Sequence, residues 1–378
     1  MTTTLRRWAL PAGLVAVVLG GSALGPLVRA AADDVPEPSE AEILTLLLGA
    51  DLDGFSGTVT TDADLGLPDL PAGFGGTEDT SWLGLLTGDR TLRTWVSADG
   101  VRIALLGDLT ESDLVVADGE GWLWSSQDST ATRLAVSGDL LGTGGGAEAS
   151  DEAGGDAAGA DAADEAAGDA AIPLLGSLAG LAGSSTISVG PSTTVAGRAA
   201  YQLVLAPSSS ETLIGSVRVA IDADEGLPLR VQVFPRDSDS PAIEIGFTRV
   251  TLGAPDPSVF DFSPPPGATV EGTASDGGGD AGTAAGLTEG WTVVGEGWTA
   301  VVVGPAPDLG GADGAPSTLE QVAQVLPQVS GPWGTGRLLT SRVLSVLLTD
   351  DGRLLAGAVS GERLQEVAAE LARSGPAS

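Results

Sequence analysis

The sequence predicts an α+β protein: a curved antiparallel sheet with one apolar face, followed by a small α+β domain in the last ninety or so residues. Three observations predict it. Strand-length runs from Val195 to Val270 alternate apolar and polar side chains, which in a strand point to opposite faces. Asp99-Gly100 and Asp118-Gly119 join strand-like runs, and in the longer Asp222-Ala223-Asp224-Glu225-Gly226 between two runs Gly226 can supply the positive φ a tight turn needs. Helical patterns are few and short, so helices here can only lie on the sheet.

In chain order, Arg6-Arg7, an apolar run from Trp8 to about Leu27 and Ala30-Ala31-Ala32 before Asp33 have the order of a secretory signal peptide. Residues 1–32 are expected to direct export, with cleavage after Ala32; an uncleaved membrane anchor is the rival, weakened by Gly20, Gly21, Gly25 and Pro26. Ser39-Glu40-Ala41-Glu42 reads as a capping box, opening a helix whose stripe is Ile43, Leu44, Leu47 and Leu48 and which Gly49 ends. A meander follows: 56–64, 91–98, 101–106, 113–117, 121–125 and 131–136. The excursion 66–89 carries Phe74, Trp82, Leu83, Leu85 and Leu86 and suits a flap rather than a linker. Residues 139–171 hold Gly, Ala, Asp and Glu almost alone and are expected to be a disordered insertion, because they cannot bury enough surface to offset chain entropy. Leu174, Leu175, Leu178 and Leu181 fit one face of a short helix over 172–181.

The alternation is then clean. Tyr201, Leu203 and Leu205 oppose Gln202; Val217, Val219 and Ile221 oppose Arg218 and Ala220. Leu227, Leu229, Val231 and Val233 oppose Arg230 and Gln232, with Phe234 as the exception; Ile243, Ile245 and Phe247 oppose Glu244, Gly246 and Thr248. One wet and one dry face is the signature of antiparallel sheet. The first domain is expected over 33–271 and a Gly-rich linker over 272–288. The second domain, 289–378, is expected to hold two strands in 291–303, a helix over 317–326, a hairpin of 336–348 with 353–359 around Asp351-Gly352, and a helix over 361–373.

Composition narrows the chemistry. There is no Cys and no His, and all 17 basic residues are Arg, so the usual general bases and activated nucleophiles are missing. No catalyst and no cofactor is expected. The net charge of −34 repels polyanions, which argues against nucleic acid as a partner. The acidic pairs Asp51/Asp53, Asp62/Asp64 and Asp222/Asp224 lack calcium-loop spacing, and glycines 142–146 lack the lysine and hydroxyl of a phosphate loop. Arg93, Arg102, Arg218 and Arg230 are expected on the solvent face, one of them at a lipid phosphate as the sharper alternative.

The helix after the signal segment, the strand 55–60, the turn Ile221-Asp222-Ala223-Asp224-Glu225-Gly226-Leu227-Pro228 and the exit motif Phe260-Asp261-Phe262-Ser263-Pro264-Pro265-Pro266-Gly267 occur in the order seen in one family. Over roughly residues 37–271 the chain resembles the bacterial envelope proteins that include the lipoprotein carrier LolA, its receptor LolB and the N-terminal domain of the regulator RseB. The resemblance implies an open half β-barrel of about eleven strands with a helical lid, whose concave face holds lipid or lipoprotein acyl chains. The candidate lining is then Trp95, Ile103, Leu105, Trp122, Trp124, Leu203, Val217, Val219, Leu229, Val231, Ile243, Ile245 and Phe247. For the tryptophans, an ordinary core or rim position stands open beside that role. The C-terminal segment is similar to the C-terminal domain of RseB, which docks an anti-sigma factor, and so implies a membrane-protein partner. Three functions follow as expectations: an extracytoplasmic carrier, an RseB-like lipid sensor, or a structural envelope protein with a filled core.

Overall fold

The structure, a computed structural model, describes residues 38–50, 52–67, 88–135, 183–272, 291–306 and 324–374. The expected signal segment, the 139–171 insertion, the 172–181 helix, the linker beyond 272, and most of the 66–89 flap and the 317–326 helix lie outside these residues.

Helix α1 (Glu40–Gly49) starts as its capping box dictates: Ser39 Oγ accepts from the Glu42 amide at 3.4 Å, and Glu42 Oε2 accepts from the Ser39 amide at 2.8 Å. A meander follows of β1 (Gly54–Ala63), β2 (Gly88–Ser97), β3 (Gly100–Leu106), β4 (Glu111–Ala117), β5 (Glu120–Ser125) and β6 (Thr130–Ala135). A second run comprises β7 (Ser185–Val195), β8 (Arg198–Pro207), β9 (Ile214–Asp222), β10 (Pro228–Pro235) and β11 (Ile243–Leu252), and β12 (Thr269–Gly272) closes the domain. They form one twelve-stranded sheet in the order β12-β6-β5-β4-β3-β2-β1-β11-β10-β9-β8-β7. Among the described residues β7 and β12 are its two edges, so the sheet is open. Every pairing is antiparallel except that of β12 with β6.

The turn chemistry explains the hairpins. Asp118 and Gly119 both take positive φ (52° and 77°), as do Ala196 and Gly197 (52° and 78°), the geometry that matches the twist of paired strands. Gly226 (φ 73°) ends the β9–β10 turn, where a Cβ would lie 2.4 Å from the Leu46 carbonyl oxygen; only glycine lets this turn seat against α1.

The second sheet contains β13 (Thr292–Val294), β14 (Val301–Pro305), β15 (Gln328–Gly331), β16 (Gly334–Thr340), β17 (Ser345–Thr349) and β18 (Arg353–Gly357), ordered β13-β14-β18-β17-β16-β15. The run 336–348, expected as one strand, is two. Ser341 turns the chain between β16 and β17, its Oγ accepting from the Leu344 amide at 3.0 Å. Helix α2 (Gly361–Ser374) buries Leu364, Val367 and Ala368 in one cluster with Val301, Leu347 and Leu355. Among the described residues no helix is long and apolar enough to cross a membrane.

The two sheets are joined by specific contacts. The Leu213 amide and the Thr212 hydroxyl both donate to the Ala358 carbonyl, at 2.8 and 2.7 Å. Arg342 donates from its amide to the Leu65 carbonyl at 2.8 Å, and from its guanidinium to Asp64 and to Ser238 Oγ. Trp298 Nε1 donates to Ser185 Oγ at 2.7 Å, and its ring clusters with Ile43, Leu203, Leu205 and Ile221.

Candidate functional site

Register assigns the faces of the large sheet. Leu203 lies opposite Val219, Val219 opposite Val231, Val231 opposite Ile245, Ile245 opposite Thr61, and Thr61 opposite Arg90. This row crosses six strands on one face. Beside it run Leu205, Val217, Val233, Ile243 and Ala63 on one side, and Phe247, Val59, Leu92, Leu105 and Ser112 on the other. A fourth row holds Thr94, Ile103, Leu114 and Leu123. Apart from Leu229 and the tryptophans, the candidates Ile103, Leu105, Leu203, Val217, Val219, Val231, Ile243, Ile245 and Phe247 therefore share this dry face. Leu229, at a register slip in β10, is buried in one cluster with Ala50, Leu227 and several of them.

The three tryptophans do not join them. Trp95 lies opposite Arg102, Arg102 opposite Val115, and Val115 opposite Trp122, which is a row of the other face; Trp124 lies opposite Asp113 on that same side. The reason is parity: Trp95 is one residue out of step with Thr94 and Val96, as Trp122 and Trp124 are with Leu123. One of them meets the exit motif. Trp122 packs on Phe262 with ring centroids 5.6 Å apart, and Arg102 lies 5.6 Å over Trp95 while donating to Asp113 Oδ1 (2.8 Å) and the Val259 carbonyl (3.3 Å). Phe234, the exception in the alternation, also faces outward, under the Arg218 guanidinium at 4.0 Å.

Cover on the dry face is uneven. α1 and Trp298 pack over β8 and β9, and Val343 of the small domain joins the cluster of Leu65, Ile243 and Ile245. Val217, Val219, Phe247, Leu114 and Leu123 stay half-buried. Among the described residues, three polar side chains buried on this face have atoms without a hydrogen-bond partner: Thr61 and Thr94, through their hydroxyls, and Arg90, through Nε and Nη2. None of the three was singled out from the sequence, although the alternation of Arg90, Leu92, Thr94 and Val96 puts them on one side.

The opposite face carries acidic groups at the same end of β1. Asp62 lies directly across from Asp89 on β2 and from Glu244 on β11. Burial, reinforced by repulsion from Asp89, Asp64 and Glu244, pushes its carboxyl up to about 6. A carboxyl whose folded pKa is raised favours the folded state below its unfolded value near 3.8, and that gain is lost as pH rises through about 6. Asp62→Asn is thus expected to raise the melting temperature at pH 7 and to leave it nearly unchanged at pH 3. Thermal melts at the two pH values check this; an equal shift at both would refute it.

No family model and no curated protein matches the sequence. The chain is similar to MucB. The Pseudomonas aeruginosa MucA/MucB complex contains a chain 18% identical, over 87% of this chain and 96% of that one, with a TM-score of 0.42. An uncharacterized conserved protein of Thermus thermophilus is 9% identical over 61% of this chain and 98% of its own, at 0.33. A LolA-superfamily protein of Nitrosomonas europaea is 10% identical over 60% and 99%, at 0.21. MucB is thus seen with MucA as its partner, and the LolA-superfamily structure spans a shorter part of the present chain than MucB does.

Proposed function

We propose that this is a non-catalytic extracytoplasmic binding or carrier protein that holds lipid or lipoprotein acyl chains against the apolar face of its large sheet. One observation carries the reading: the dry face runs in register across the strands of an open sheet, and part of it, at Val217 and Val219 on β9 and Phe247 on β11, is left half-buried. A filled core would bury those side chains completely, since each gains about 25 cal/mol for every Å² of apolar surface removed from water. Flexible chains of no fixed shape suit such a surface, because it offers area and few directional groups. The leader-like N-terminal segment favours export as the setting.

A second reading, a lipid sensor that also contacts a membrane protein through residues 289–378, draws on the junction. Arg342, Thr212 and Trp298 tie the small domain to strands bearing the apolar face, so a change at that face has a physical route to the domain. MucB, with MucA bound, is an example of a similar protein that takes a protein partner.

The test is mass spectrometry of organic extracts from the purified mature protein. Acyl lipids at a sizeable fraction of one per chain are expected. Extracts free of lipid, from protein that also fails to take up added lipid, would leave the filled-core structural role in its place.

A further inference from the structure

We infer that Arg90 and Thr61 form an anion-recognition element at one end of the apolar face, taking the carboxylate or phosphate head of a single-chain amphiphile whose tail lies on the half-buried part of that face, at Phe247, Val219 and Val217. The inference rests on the lipid-binding reading above and adds to it the charge and orientation of the ligand.

Arg90 is 6% exposed, and its one hydrogen bond runs from Nη1 to the neighbouring Asp89 carbonyl at 3.3 Å. Its Nε and Nη2 have no acceptor among the described residues. Those two nitrogens form the side-on edge of the guanidinium, the edge that meets a carboxylate or phosphate with two parallel hydrogen bonds. Thr61, directly opposite on β1 and 1% exposed, has a hydroxyl with no partner. It adds a third donor beside the fork.

A buried guanidinium without a counter-charge is costly, and folded proteins pair such groups. The nearby carboxylates do not serve. Register turns Asp62, Asp89 and Glu244 to the opposite face, and Asp64 is held by Arg342. The placement matches an amphiphile. Four strand spacings separate Val219 from Arg90, about 19 Å along the sheet, with apolar side chains between them and polar donors at Thr61 and Arg90.

The test is calorimetric titration of the delipidated mature protein with palmitate, 1-palmitoyl-lysophosphatidate, uncharged monopalmitoylglycerol and inorganic phosphate. Wild type should bind both anionic amphiphiles at least about tenfold more tightly than the neutral one, the scale of a hydrogen bond to a charged group. Inorganic phosphate should bind too weakly to detect. Arg90→Met should bring the three amphiphiles within about twofold of one another, with Arg90→Lys in between because it keeps the charge and loses the fork. Ligand-free Arg90→Met should also melt higher than wild type, since it replaces an unpaired buried charge by an apolar chain; a purely structural arginine would melt lower. Equal wild-type affinity for anionic and neutral amphiphiles would overturn the inference while leaving the apolar-face reading intact. Absence of binding by all three would overturn both, and phosphate binding as tightly as the amphiphiles would make this a free-anion site instead.

Discussion

Asp222→Ala is expected to lower the unfolding free energy by about 3 kcal/mol, toward the lower end of what breaking a buried ion pair costs. Asp222 is fully buried and makes a two-pronged contact with Arg198, through Nε to Oδ2 and Nη2 to Oδ1. Its Oδ1 also accepts from the Asp224 and Glu225 amides, at 3.1 and 2.9 Å. One carboxylate thus ties the turn between β7 and β8 to that between β9 and β10, and the second turn seats Gly226 against Leu46 of α1. In the variant two turn amides lose their acceptor. Arg198, 28% exposed, can turn to water, which keeps the loss from reaching the top of the range.

The pH dependence separates this network from Asp62. Burial alone would raise the Asp222 carboxyl, but the Arg198 hydrogen bond and the Glu225 and Asp224 amides outweigh it, so its pKa falls below 3.8. A depressed folded pKa contributes stability that is present above the unfolded value and lost as pH falls through the folded one. The gap between wild type and Asp222→Ala should therefore hold from pH 5 to 7 and narrow below about 3.8. Urea unfolding across that range, read as midpoints at constant slope, measures it; a gap that widens toward low pH would contradict the assignment.

How far the sequence shows all this depends on whether a residue's role is local. The Ser39 capping box, the Asp118-Gly119 hairpin and the Asp222–Gly226 turn are written in adjacent residues, and each stands where those residues place it. Polar edge strands are not. β7 (Ser185–Val195) mixes Ile187 and Val189 with Ser, Thr, Gly and Pro, because an edge strand that packs lightly needs few large side chains, and β15 is as weak for the same reason. The tryptophans show a different failure. The resemblance puts them in the cavity lining, yet parity along β2 and β5 places them outward, where Phe262 of the exit motif packs on Trp122 and Arg102 lies over Trp95. Arg90 is the converse. Its residue type suggests solvent, while its parity with Leu92 and Val96 puts it on the dry face; that its fork lacks an acceptor depends on strands distant in sequence and could not be read from the chain alone.

Val219→Trp is expected to abolish co-purifying lipid while changing unfolding stability by less than about 1 kcal/mol. Val219 sits between Leu203 and Val231 near one end of the row and remains half-buried, so an indole there gains apolar contact with its neighbours and fills the space an acyl chain would take. Val231, next in the row, is 4% exposed, and Ile245 beyond it 5%. Extra volume at either must be forced into packed surroundings, so Val231→Trp and Ile245→Trp should each cost about 1–3 kcal/mol. The contrast within one row is the measurement. Urea midpoints and lipid content of the three variants, each against wild type, distinguish a ligand-bearing face from a filled core. If Val219→Trp loses as much stability as Val231→Trp and wild type holds no lipid, the face is closed packing and the carrier reading falls. If Val219→Trp keeps its stability and loses its lipid, the acyl chain lies over β9, on the row that ends at Thr61 and Arg90.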